Sequence, residues 1–161
     1  MKNLLFLIML PVIMLFSCKE DDPEPAEKRG QIILDIKKQT KDSSGKIGVK
    51  PQYATVYVWN AENRNFDVDA SGTDVYLGYA LDNTSNSFKT SDYGAVGYRM
   101  DEKIEPGKYF IFVMLPKSSS RGSLANSYTY FEVKAGEALE MEKIFSHDIE
   151  SEQTEAWDKN K

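Results

Sequence analysis

The chain has 161 residues, 25 acidic against 20 basic side chains, a formal charge of −5, one cysteine and one histidine. One Cys excludes an internal disulfide and a cysteine-based zinc or iron–sulfur site, and one His argues against a His-rich metal enzyme. The net acidity argues against a nucleic-acid partner, which needs a basic footprint, and the length suits one domain.

The N-terminus opens with Lys2 and an apolar run, Leu4–Phe16, broken by Pro11. As a helix this run is about 20 Å long, too short for a hydrocarbon core of about 30 Å. A basic start, a short apolar run and a small residue before a cut are the parts of a secretory signal, here residues 1–17. Leu15-Phe16-Ser17-Cys18 resembles the lipobox of bacterial lipoproteins. That resemblance implies cleavage before Cys18 and a diacylglycerol on its sulfur. Two or three acyl chains make a durable anchor, at about 0.8 kcal/mol per buried CH₂.

Lys19-Glu20-Asp21-Asp22-Pro23-Glu24-Pro25 follows. Charge and proline forbid a packed core, so residues 18–29 read as the lipidated cysteine and a flexible acidic tether. The Ser-Cys-Lys-Glu-Asp-Asp string is similar to lipoproteins of Bacteroidota-type bacteria, in which such a run accompanies export to the cell surface. The implied place is the outer membrane, on its periplasmic face or at the cell surface.

From Gly30 the pattern changes. Short runs of Val, Ile, Tyr and Phe alternate with Gly, Pro, Asn, Asp and Ser clusters, which predicts strands and turns. Strands are expected near 31–37, 53–59, 74–81, 86–90, 95–100, 108–115, 128–134 and 138–145. The fold class is therefore all-β: a two-sheet antiparallel β-sandwich of seven or eight strands over residues 30–145. Residues 146–161 read as a polar C-terminal tail, frayed or a short helix.

Thr90-Ser91-Asp92-Tyr93-Gly94-Ala95-Val96, then Ile104-Glu105-Pro106-Gly107-Lys108-Tyr109-Phe110-Ile111-Phe112-Val113, resembles the paired signature of transthyretin-like domains. These include carboxypeptidase-regulatory-like repeats. The resemblance implies a transthyretin-like or Ig-like sandwich; it implies no function, because such sandwiches host many.

In Asp67-Val68-Asp69-Ala70-Ser71-Gly72-Thr73-Asp74, oxygen side chains alternate around a glycine, as at the start of a calcium loop. Asp67, Asp69, Ser71 and Asp74 are the candidate ligands. The position where an EF-hand carries a bidentate Glu is Gly78, and an ordinary acidic turn accounts for the same residues. Ser146-His147-Asp148 holds the letters of a catalytic triad, but neighbours on an extended chain point apart. No catalytic residue and no cofactor is expected.

Aromatic residues concentrate in 53–131. Strand alternation turns Ala54, Val56 and Val58 inward and leaves Tyr57 and Trp59 on the other face. It likewise turns Phe131 and Val133 inward and leaves Tyr128 and Tyr130 outside. In 75–81 it turns Val75, Leu77, Tyr79 and Leu81 inward and leaves Tyr76 outside. Strand 109–115 is apolar on both faces, so its second face needs a cover. Either loops or the C-terminal segment bury it, with Trp157 as a plug, or Tyr57, Trp59, Tyr76, Tyr128 and Tyr130 form an exposed platform for a protein or a glycan.

These readings combine into a lipid-anchored envelope lipoprotein that is not an enzyme and acts as a binding or assembly module. Its expected partners are the membrane, through Cys18, and an envelope protein or glycan. The alternatives are a small carbohydrate-active hydrolase using carboxylates, and a structural subunit of a surface complex.

Overall fold

The computed structural model describes residues 29–116, 124–149 and 153–157. The expected signal, Cys18 and the tether through residue 28 lie outside the described residues. The fold is all-β and sandwich-like.

Strand β1 (Gly30–Lys41) organises the first sheet. Its Ile32, Leu34 and Ile36 alternate into the core. β11 (Ala138–Phe145) runs parallel to it, from Gln31↔Ala138 to Lys38↔Phe145. β8 (Arg99–Ile104) pairs antiparallel with its first half and β2 (Ile47–Pro51) with its second half. Gly30 packs tightly against Val133 and the turn that follows it: a Cβ there would sit 2.3 Å from Val133 Cγ1 and 2.5 Å from the Lys134 carbonyl oxygen.

The second sheet is antiparallel, in the order β10 (Asn126–Val133), β9 (Gly107–Met114), β3 (Ala54–Asn60), β7 (Tyr93–Gly97). Ala54, Val56, Val58, Tyr109, Ile111, Val113 and Val133 point from it into one core, against Ile32, Leu34, Ile36, Met100, Ile104, Met141 and Phe145. The expected alternation of β3, β9 and β10 is the one observed. Burying this set supplies the main favourable free energy, at about 25 cal/mol per Å² of apolar surface.

A smaller layer covers the other face of the second sheet. β4 (Phe66–Asp67), α1 (Val68–Ser71), a 3-10 turn over Gly72–Leu77, β5 (Tyr79–Asp82) and β6 (Ser87–Thr90) form it. Its Phe66, Val75 and Ala80 pack with Trp59, Phe110, Phe112 and Met114 into a second buried cluster. The cover that β9 demands is thus the 61–90 excursion. Trp157 packs at the first core instead.

Several expectations need correction. Eleven strands are present among the described residues, because β2 and β4 were not anticipated and 95–100 spans two strands. The chain changes sheets at Tyr98, whose carbonyl accepts the Ile36 N–H at 3.0 Å. The β1–β11 pair is parallel, so the sandwich is mixed. Of the strand expected over 74–81, the first half is a 3-10 turn and only residues 79–81 belong to β5: Asp67 caps α1 by accepting the Ala70 N–H, and Gly78 ends the 3-10 turn at φ 85. Leu77 and Tyr79 consequently face solvent, at 68% and 44% exposure. The tail is partly docked: Asn126 pairs with Thr154, and the Asn126 N–H donates to the Gln153 carbonyl at 3.0 Å.

Candidate functional site

Tyr57, Trp59, Tyr128 and Tyr130 share the outer face of the second sheet and Tyr76 packs onto it from the 3-10 turn, but the five do not make an open platform. Trp59 is fully buried, its indole N–H donating to the Lys89 carbonyl at 3.0 Å. Tyr57 lies against it at 6.0 Å between ring centroids. Tyr76 packs edge-on to Phe112, and Tyr128 against Phe110. Tyr57, Tyr76 and Tyr128 are half-buried, and Tyr130 is 47% exposed. The exposed-platform expectation is corrected for Trp59 and reduced to Tyr130, because the 66–90 layer lies over the rest.

The calcium candidates are also redistributed. The Asp67 carboxylate accepts from the Ala70 N–H at 2.8 Å and from Asn83 Nδ2 at 3.1 Å, which holds it below the usual carboxylate range. Buried Ser71 donates to the Asp67 carbonyl and accepts the Leu81 N–H. Asp69 and Asp74 are exposed in the helical turns. Among the described residues no three His, Cys, Asp or Glu side chains gather as a metal ion requires. His147 lies beside its chain neighbour Asp148 at 3.7 Å, and the cleft near it is lined by Ser146, Asp148, Ile149, Gln153, Thr154 and Glu155.

Tyr130 marks a cleft of about 550 Å³ at the end of the covering layer. The turn after β3 forms one wall, with Glu62, Asn63, Arg64 and Asn65; Thr84 comes from the β5–β6 turn. Lys108 of β9 and Glu132 of β10 complete it and stand directly opposite in the strand register. Tyr130 is fixed at two points. Its ring lies 4.9 Å from Phe110, and its hydroxyl accepts the Phe66 N–H at 2.7 Å. Burial pushes its phenol pKa up, so the hydroxyl stays neutral.

The wall is rigid for local reasons. Asn63 takes the left-handed conformation, φ 58, that asparagine tolerates better than most residues. Asn60 Oδ1 accepts the Glu62 N–H, and the Ala61 carbonyl accepts the Arg64 N–H. Asp82, which is 2% exposed, ties down the neighbouring turn. Burial would raise its pKa, but bonds from Ser85, Asn65 and Thr84 outweigh that and hold it at about 2.

No family model, curated protein or solved structure matches the chain. The site therefore stands on its geometry. Of its residues, alternation identified Tyr130, while Glu62, Asn63, Arg64, Asn65, Thr84, Lys108 and Glu132 were missed. The Ala61–Asn65 turn was visible in sequence, and pairing 108–115 with 128–134 would have set Lys108 beside Glu132.

Proposed function

We propose that the chain is a non-catalytic binding or assembly module of a bacterial cell envelope, held to the outer membrane by lipid on Cys18. The observation that carries this reading is Leu15-Phe16-Ser17-Cys18: the sole cysteine follows a short apolar run in a lipobox-like setting. Two or three acyl chains on one residue are enough for stable anchoring. The acidic string after Cys18 supports display at the surface.

Three carboxylates are occupied in holding the fold together. Asp67, Asp82 and Glu155 are engaged by backbone N–H groups and by neighbouring side chains. All three are held below their ordinary pKa, whereas a general acid needs a pKa raised toward the working pH. The Pro106-Gly107 turn opens β9, in keeping with the transthyretin-like pattern.

Fractionation of cells making the wild type and Cys18→Ala, fed an alkyne analogue of palmitate, tests the anchor. The wild type is expected labelled and in the membrane, the variant unlabelled and released. A variant that stays in the membrane overturns the reading. Crosslinking on intact cells then captures the partner, and resistance of the domain to added protease would argue against surface display.

A further inference from the structure

We propose that the cleft between the 61–65 turn and the Lys108–Glu132 pair binds a short neutral oligosaccharide, with Tyr130 as the stacking surface. This rests on the binding-module reading and names its ligand class.

Three observations converge on it. Tyr130 is 47% exposed, yet its ring is backed by Phe110 at 4.9 Å and its hydroxyl is held by the Phe66 N–H at 2.7 Å. A ring so fixed offers an open apolar face with little freedom left to lose on binding. The apolar face of a pyranose, formed by its axial C–H bonds, matches such a surface.

The rim supplies the second observation. Glu62 and Glu132 balance Arg64 and Lys108, and Asn63, Asn65 and Thr84 are neutral. With the lining charges balanced, and the carboxylates of Asp82 and Asp67 the further charges felt at Tyr130, the cleft has no excess of positive charge to draw a polyanion. Carboxylates, amides and cations in alternation instead suit vicinal hydroxyls, each of which both donates and accepts.

The third is availability. Lys108 and Glu132 face each other across β9 and β10, both exposed. The described residues' ion pairs include neither of them, so both can turn to a ligand. The cleft volume of about 550 Å³ falls within the range of small-ligand sites, about 300–1,000 Å³.

The test uses the full chain in a zwitterionic, non-glycosidic detergent, with cellohexaose, maltohexaose, mannohexaose and chitohexaose as probes. Saturation-transfer NMR and calorimetric titration read binding. At least one hexaose is expected to bind, with Tyr130→Ala weakening it about tenfold or more and Glu132→Gln or Lys108→Gln each about three- to tenfold. The last two change exposed side chains, so they report on the cleft even where Tyr130→Ala unfolds. No transfer from any of the four sugars overturns the proposal, as does binding unchanged in both exposed-site variants. Capture of a protein segment in the cleft that a bound hexaose cannot displace also overturns it. Mass spectrometry of the recovered sugar separates the two readings: cleavage lost in Glu132→Gln supports the site while overturning the non-catalytic function. The Cys18→Ala fractionation tests the anchor without touching the cleft.

Discussion

The Lys143 ammonium lies 2.9 Å from a Glu155 carboxylate oxygen and 2.8 Å from the Ala156 carbonyl, with its side chain wholly shielded from solvent. The second Glu155 oxygen accepts the Ser146 N–H and hydroxyl at 3.0 and 2.6 Å. One carboxylate thus ties the end of β11 to the 153–157 segment. Buried pairs add little net stability, but breaking one strands a charge.

Glu155→Ala is therefore expected to cost about 3 kcal/mol, because it removes the one carboxylate that holds both the buried Lys143 ammonium and Ser146. Lys143→Met is expected to cost less, since Glu155 keeps Ser146 and 24% exposure of its side chain. The double variant should resemble Lys143→Met. Urea denaturation reads all three, and equal losses in the two single variants would show that burial of the lysine does not set the cost.

Asp82 predicts an acid limb of stability. Its pKa is lowered from 3.8 to about 2 in the folded state. A depressed carboxyl binds its proton more readily when unfolded, so its contribution is complete above the unfolded value and is lost as pH falls through the folded one. The melting temperature should drop between about pH 4 and pH 2 on this account. Asp82→Asn should flatten that limb and cost about 1–2 kcal/mol at neutral pH. A variant with an unchanged acid limb would show that other carboxylates dominate it.

Trp59 is the centre of the second cluster, touching Phe66 at 5.9 Å and Phe110 at 5.7 Å between ring centroids. Trp59→Ala is expected to cost about 3–5 kcal/mol. It should also loosen the 61–90 layer before the sandwich opens, which limited proteolysis would reveal as early cuts in that segment. Simultaneous cutting throughout the chain would instead mark both clusters as one cooperative unit.

Gly30→Ala is expected to destabilise by about 1–3 kcal/mol, since the new methyl collides with Val133 Cγ1 and the Lys134 carbonyl. Adding Val133→Ala should rescue only part of the loss, because the Lys134 clash is with backbone. Full rescue in thermal melts would assign the whole cost to the valine side chain.

Much of the sandwich was legible because strand alternation is local. Ala54, Val56 and Val58 against Tyr57 and Trp59 is a period-2 pattern that backbone geometry imposes on any strand. The same logic misled at 74–81. Val75, Leu77, Tyr79 and Leu81 carry a strand-like period, but Asp67, Gly72 and Gly78 impose capped turns on that segment. β2 escaped notice because all five of its residues are exposed and leave no buried face to detect. Tyr130 of the cleft could be sorted to a face, whereas Arg64 and Glu132 looked like ordinary surface charge.

By itself, the amino-acid sequence determined the all-β class, the faces of β3, β9 and β10, and the need to cover β9 twice. Leu15-Phe16-Ser17-Cys18, on which the proposed anchor rests, is legible there as well. Only the tertiary structure decided that residues 61–90, rather than the tail, cover the second face, that the tail docks through Glu155, and that Lys108, Glu132 and the 61–65 turn meet at Tyr130. The physical reason is range. Alternation follows from the pleat of each strand, while coverage and clefts depend on which distant segments bury the most surface together, and no local period encodes that.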